Sequence, residues 1–104
     1  MKIGVDICKI SRFENCAEHF IERFLSNEEQ KIFYSLNQDK KNTFLAGRWA
    51  SKEAIYKATG DKEYLHYSIL NDEIGKPFVQ DHHEIKISIS HDGDYAIAFV
   101  LIDD

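Results

Sequence analysis

Two carboxylates in this chain stand where fold physics does not favour them. Asp6 lies in the alternating stretch Lys2-Ile3-Gly4-Val5-Asp6-Ile7-Cys8, and Glu53 lies inside Phe44-Leu45-Ala46-Gly47-Arg48-Trp49-Ala50-Ser51-Lys52-Glu53-Ala54. Aspartate is depleted in strands, and one flanked by apolar neighbours needs a cation, a turn amide or an exposed edge. Glu53 projects beside a helical stripe of small residues, Ala46, Gly47, Ala50, Ala54 and Ala58, so its charge is partly desolvated unless donors share the pocket. If that helix packs across the first strand, the two acids can share a metal. Hard carboxylate oxygens, without a cysteine cluster or a usable histidine pair, suit magnesium, whose shell is completed by water and substrate phosphate. Lys57, one turn beyond Glu53, joins Arg48, Lys52 and Lys76 as cations able to hold further phosphates. Ser90 and His91 close a strand beside the tight turn His91-Asp92-Gly93-Asp94, where a ligand can lie. Spacing also leaves a plainer reading open: a Glu53–Lys57 ion pair on a core helix, with Asp6 facing water.

These residues need a scaffold, and the periodicities supply one. Lys2 to Ile10 alternates as a strand, with Ile3, Val5 and Ile7 on one face and Gly4, Asp6 and Cys8 on the other. Ser11 with Glu14 reads as a capping box opening a helix from Arg12 to Arg23, and Ser26 with Glu29 as a second opening one from Asn27 to Leu36. After a polar connector at Asn37 to Asn42, a proline-free run ending in Gly60 predicts a long helix from about Lys41 to Ala58. Arg48 and Lys52 point away from its small stripe, so the helix meets something on both sides, another part of the fold or a second subunit. Strands are expected at Tyr67 to Asp72, Pro77 to Val79, His83 to Ser90 and Tyr95 to Ile102, with a turn at Ile74-Gly75-Lys76-Pro77 and an Asp-Gly hairpin at residues 92–93. The last strand is nearly all apolar, so it should be central and covered on both faces.

The chain of 104 residues, 43% hydrophobic, fits a single domain spanning residues 1–104. Its net charge of -5 gives no general attraction to nucleic acid or to an anionic membrane. No apolar run approaches a membrane span and the first residues lack a signal-peptide core, so the chain is expected in the cytoplasm. Cys8 and Cys16 read as reduced packing residues, and the adjacent His82 and His83 as surface residues near a turn.

Gly4-Val5-Asp6-Ile7, Arg12, Arg23-Phe24-Leu25-Ser26 through Glu29, Phe44 through Ala54, Lys57-Ala58, Gly75-Lys76-Pro77 and Ser88-Ile89-Ser90-His91 come in an order covering nearly the whole chain. In this the sequence resembles the holo-acyl-carrier-protein synthases, the short, stand-alone class of 4′-phosphopantetheinyl transferases. The resemblance implies an α+β fold assembling as a homotrimer, with coenzyme A in clefts between subunits. It implies attack by a serine hydroxyl of acyl carrier protein on the β-phosphate of coenzyme A, releasing 3′,5′-ADP. The positions matching the family's magnesium ligands are Asp6 and Glu53. Those matching its phosphate and nucleotide contacts are Arg48, Lys57, Lys76, Pro77 and His91. Lys9, Arg12 and Arg23 fall where the family docks its acidic carrier. Glu53 is also a candidate base for the serine hydroxyl. The chain departs from the family pattern between Gly60 and Gly75, which is short and lacks a glycine-rich continuation, and at Asp92, where a small hydroxyl residue is common. An alternative of another class is a non-catalytic coenzyme A or carrier-binding module on the same fold; a third is a plain interaction domain. Retention of both acids favours the enzyme, since a binder needs no metal at the reacting phosphate.

Overall fold

In the computed structural model of this chain, which describes residues 1–103, strand β1 (Lys2–Lys9) and a 3-10 turn (Ile10–Phe13) lead into three helices. These are α1 (Glu18–Phe24), α2 (Asn27–Ser35) and α3 (Gln38–Thr59); a second 3-10 turn (Tyr64–His66) follows, then β2 (Ile69–Asn71), β3 (Pro77–Val79), β4 (Ile85–Asp92) and β5 (Tyr95–Ile102). The architecture is α+β. β1, β5 and β4 form an antiparallel sheet in that order, so β5 is central as its apolar sequence implies, while β2 and β3 pair separately. The β4–β5 hairpin turns through Gly93, whose φ of 57° favours glycine, with Asp92 opposite Tyr95.

Helix α3 covers one face of the sheet, and small residues set the distance. A Cβ added at Gly4 would lie 2.0 Å from the carbonyl oxygen of Ala54, so β1 and α3 meet through a bare backbone at that point. Ala46, Ala50 and Ala54 are fully buried in this contact, and Cys8 Sγ donates to Ala46 O at 3.3 Å. Asp6 sits between Gly4 and Cys8 on the same side of the strand. The strand therefore turns its small, polar side inward. Ile3, Val5 and Ile7 are on the outer side, exposed beside Ile97 and Phe99 of β5.

Three expectations change, and one left open is decided. The first helix begins only at Glu18, because Ser11 is taken by a distant partner: its backbone N–H and its hydroxyl donate to the two carboxylate oxygens of Asp94 at 3.0 and 2.6 Å. The residues 37–42 expected as a connector open α3, with Asp39 in its first turn, where a negative charge suits the helix dipole. The other face of α3 is covered by the chain's own α2, β2 and Tyr64 turn, burying Arg48, Lys52 and Ile55. Strand β5 is covered on one face only; Tyr95, Ile97 and Phe99 alternate outward from buried Ala96, Ala98 and Val100. The second capping box forms as expected, Ser26 Oγ accepting from Glu29 N at 3.3 Å and Ser26 N donating to Glu29 Oε1 at 2.8 Å. Gly60 ends α3 with φ 81°.

Candidate functional site

Because Gly4 lets β1 lie against α3, the Asp6 side chain meets the helix where Glu53 and Lys57 share a face one turn apart. Lys57 Nζ donates to Asp6 Oδ1 at 3.0 Å and to the Val5 carbonyl at 2.9 Å. Its side chain is half exposed and that of Asp6 largely covered, so this pair adds no more than about 1 kcal/mol of stability and the lysine is free to be shared with a ligand. Glu53 is half-buried and its Oε1 accepts a hydrogen bond of 2.6 Å from the Tyr64 hydroxyl. Burial, then the Glu53 hydrogen bond and the charges of Glu53 and Asp6 among others, push the Tyr64 phenol far above its ordinary range. It is therefore a protonated donor at neutral pH, and the two acids both act on one hydroxyl. Among the described residues nothing donates to Asp6 Oδ2 or Glu53 Oε2. Two carboxylates with free oxygens, beside one lysine, fit a hard divalent cation that completes its shell with water and phosphate.

Lys52 does not reach this site, contrary to its expected role as a phosphate contact. Its side chain and that of Glu29 are completely buried, with Nζ 2.8 Å from Glu29 Oε1. The ammonium's remaining protons go to the carbonyls of Tyr64, at 2.8 Å, and Tyr67. Glu29 Oε2 in turn accepts from the Ile69 N–H at 2.8 Å. Desolvation pulls the Lys52 pKa down while Glu29's charge opposes it. Nothing in the spacing announced this pair, because glutamate at the third position of α2 already had a reason to be there as a cap.

Arg48, on the same side of α3, is buried as well. It is 6% exposed and lies over the Phe44 ring at 4.3 Å. Nε donates to Ile69 O at 3.1 Å and Nη2 to Asn71 Oδ1 at 2.7 Å, while Asn71 Nδ2 donates to Gly75 O at 2.9 Å. Burial lowers the guanidinium pKa to about 10, which leaves it charged at neutral pH. Arg48 thus braces the turn that presents Lys76 and Pro77. With His91, Phe44 and Ile89 it also lines an open cleft of about 420 Å³. Lys76 and Pro77 line another, of about 260 Å³, with His83 and Lys86. Ser90 and His91, expected to serve one ligand together, face opposite sides of β4: His91 is opposite Ala96 on the helix side and Ser90 opposite Ile97 on the outer side. Neighbours along a strand cannot do otherwise. Lys9, Arg12 and Arg23 are exposed, and Arg12 lies 6.0 Å from the Trp49 ring. Tyr64, Glu29 and Asn71 are the contributors that sequence reasoning missed.

Residues 2–100 match the family model of the 4′-phosphopantetheinyl transferase superfamily. A Geobacillus relative named holo-[acyl-carrier-protein] synthase is 43% identical, covering 97% of this chain and 94% of the relative. One of the same name from Mycoplasma mobile is 46% identical over 95% and 86%. Among solved structures, the holo-(acyl-carrier-protein) synthase of Bacillus anthracis in complex with CoA (3′,5′-ADP) superposes with a TM-score of 0.87 at 35% identity, covering 97% of this chain and 94% of that one. The Helicobacter pylori synthase in complex with coenzyme A gives 0.76 at 30% identity, over 97% and 99%. Among the described residues no helix is long and apolar enough to cross a membrane.

Proposed function

Since this chain belongs to the 4′-phosphopantetheinyl transferase superfamily, we propose that it transfers the 4′-phosphopantetheine group from coenzyme A to a serine of acyl carrier protein. The observation that carries the catalytic reading is that Asp6 is held by Lys57 and Glu53, one turn earlier on α3, by Tyr64, whose phenol feels the charge of both acids. Asp6 and Glu53 would hold Mg²⁺, which supplies charge neutralisation at the pyrophosphate. The serine oxygen forms a bond to the β-phosphorus as the bond from that phosphorus to the bridging oxygen breaks, and the bridging oxygen leaves with 3′,5′-ADP. The serine proton has an acceptor in Glu53 or in solvent, and Lys57 is close enough to Asp6 to share itself with a phosphate oxygen. Little covalent work falls to the protein in such a transfer; position and charge do most of it. We read residues 1–104 as one transferase domain, which the family match over residues 2–100 supports. The two free cysteines fit a reducing cytosol.

Nucleotide binding is assigned to Arg48, Lys57, Lys76, Pro77 and His91, and a trimer would account for Arg48 and His91 lining one cleft while Lys76 and Pro77 line another in the same chain. The outer sheet face is apolar across two strands: Ile3, Val5 and Ile7 on β1 beside Ile97, Phe99 and Leu101 on β5. An apolar patch of this kind on a small protein marks an interface. Further copies packed there bring one subunit's cleft beside another's. Replacing Phe99 by glutamate puts a charge into that contact; light scattering after size exclusion should then report a monomer, and transfer should fall with it. A monomeric wild type would remove this part of the reading.

Lys9, Arg12 and Arg23 are the docking cations. Both proteins being acidic, these local charges steer an otherwise repelling pair. The direct experiment incubates the chain with apo carrier protein, coenzyme A and Mg²⁺ and weighs the carrier. The phosphopantetheine mass should appear on the carrier and depend on Mg²⁺; an unmodified carrier would leave the binding-module alternative in its place.

A further inference from the structure

We propose that Tyr64 is a positioning residue for the Glu53 carboxylate, holding it so that its second oxygen faces the divalent cation; this rests on the transferase reading above. The terminal torsion of a glutamate is broad, so a ligating carboxylate turns unless something grips it. Here the Tyr64 hydroxyl grips Oε1 at 2.6 Å, the ordinary length of a charge-assisted O–H···O bond. Fixing one oxygen points the other, and Oε2 is the one left without a donor among the described residues.

The phenol is itself held in place. Its ring packs edge-on against Trp49, with centroids 5.7 Å apart. Its own carbonyl accepts from Lys52 Nζ at 2.8 Å. Lys52 and Glu53 are consecutive on α3, so one anchors the backbone of the Tyr64 turn and the next receives its side chain. The ring closes through Lys52, Tyr64 and Glu53. The segment between α3 and β2 is shaped to deliver this: Asp61 accepts from the Glu63 N–H at 2.8 Å and from the Tyr67 hydroxyl at 2.7 Å, which fixes the approach to the 3-10 turn. The buried Lys52–Glu29 pair ties the same turn to α2. The short segment after Gly60 thus supplies a hydroxyl to the metal-side carboxylate.

Partners that orient metal ligands change metal affinity or activity by roughly 10–100-fold when removed. Tyr64→Phe keeps the ring and deletes the donor. Binding of Mn²⁺, followed by the electron paramagnetic resonance of the free ion, should weaken by about 10-fold in this variant. The Mg²⁺ concentration that half-saturates transfer should rise in step, turnover should recover at saturating Mg²⁺, and the KM for coenzyme A should stay where it was. Unchanged Mn²⁺ affinity in Tyr64→Phe would overturn the proposal, and so would a lowered melting temperature with metal affinity intact, which is the mark of a purely structural tyrosine. A wild type that binds no Mn²⁺ would overturn it too. Transfer by the wild type, weighed on the carrier in parallel, reports separately on the reading beneath.

Discussion

Glu53→Gln is expected to cut phosphopantetheine transfer by about 10³-fold while the chain stays folded. The change is nearly isosteric, and a glutamine carbonyl still accepts from the Tyr64 hydroxyl that reaches this position at 2.6 Å. What is lost is one of the two negative charges proposed above to hold a divalent cation. Charge stabilisation by a metal at a reacting phosphate is worth several kcal/mol, and about 4 kcal/mol corresponds to the stated factor. Initial rates of carrier modification at fixed coenzyme A, with circular dichroism on the same sample, check both halves. Normal turnover by the variant would remove Glu53 from the metal site and leave Asp6 as an ordinary partner of Lys57.

The other large effect is on stability. Lys52→Ala strands Glu29, whose side chain is fully buried and whose oxygens already serve Ser26 N and Ile69 N. Removing one member of such a pair costs about 3–5 kcal/mol, because a bare charge remains in the interior. For a domain of this length that lowers the melting temperature by at least about 12 °C. The Tyr64 and Tyr67 carbonyls lose their donor as well, so the turn carrying Tyr64 should loosen first. Lys52→Met combined with Glu29→Gln should recover most of the loss, since no uncompensated charge is left. A Lys52→Ala protein that melts like the wild type would mean that water reaches the pair.

Much of the frame was legible along the chain because it depends on near neighbours. The Ser26/Glu29 box, the Gly60 stop, the Asp-Gly hairpin and the small-residue stripe of α3 are local chemistry, and each forms as read. Failures came where a distant residue outbid a local one. Ser11 had a glutamate three residues on, but Asp94 takes both its donors. Lys52 and Arg48 read as phosphate-holding cations on the second face of the helix, and a helical wheel shows direction around an axis but not what lies there. Burial against β2 and the Tyr64 turn made one an internal strut and the other a brace that still lines a cleft.

From the residues alone came the two carboxylates, the lysine beside one of them, and the elements that carry them, because strand and helix periods are properties of consecutive positions. Tertiary structure decided which faces met. The missing Cβ at Gly4 allowed β1 onto α3, and that contact put the small, polar side of the strand inward and its isoleucines outside. It also brought Tyr64 to Glu53 and Lys52 to Glu29, pairs separated by 11 and 23 residues, whose contact depends on how the chain folds back and leaves no mark in local spacing.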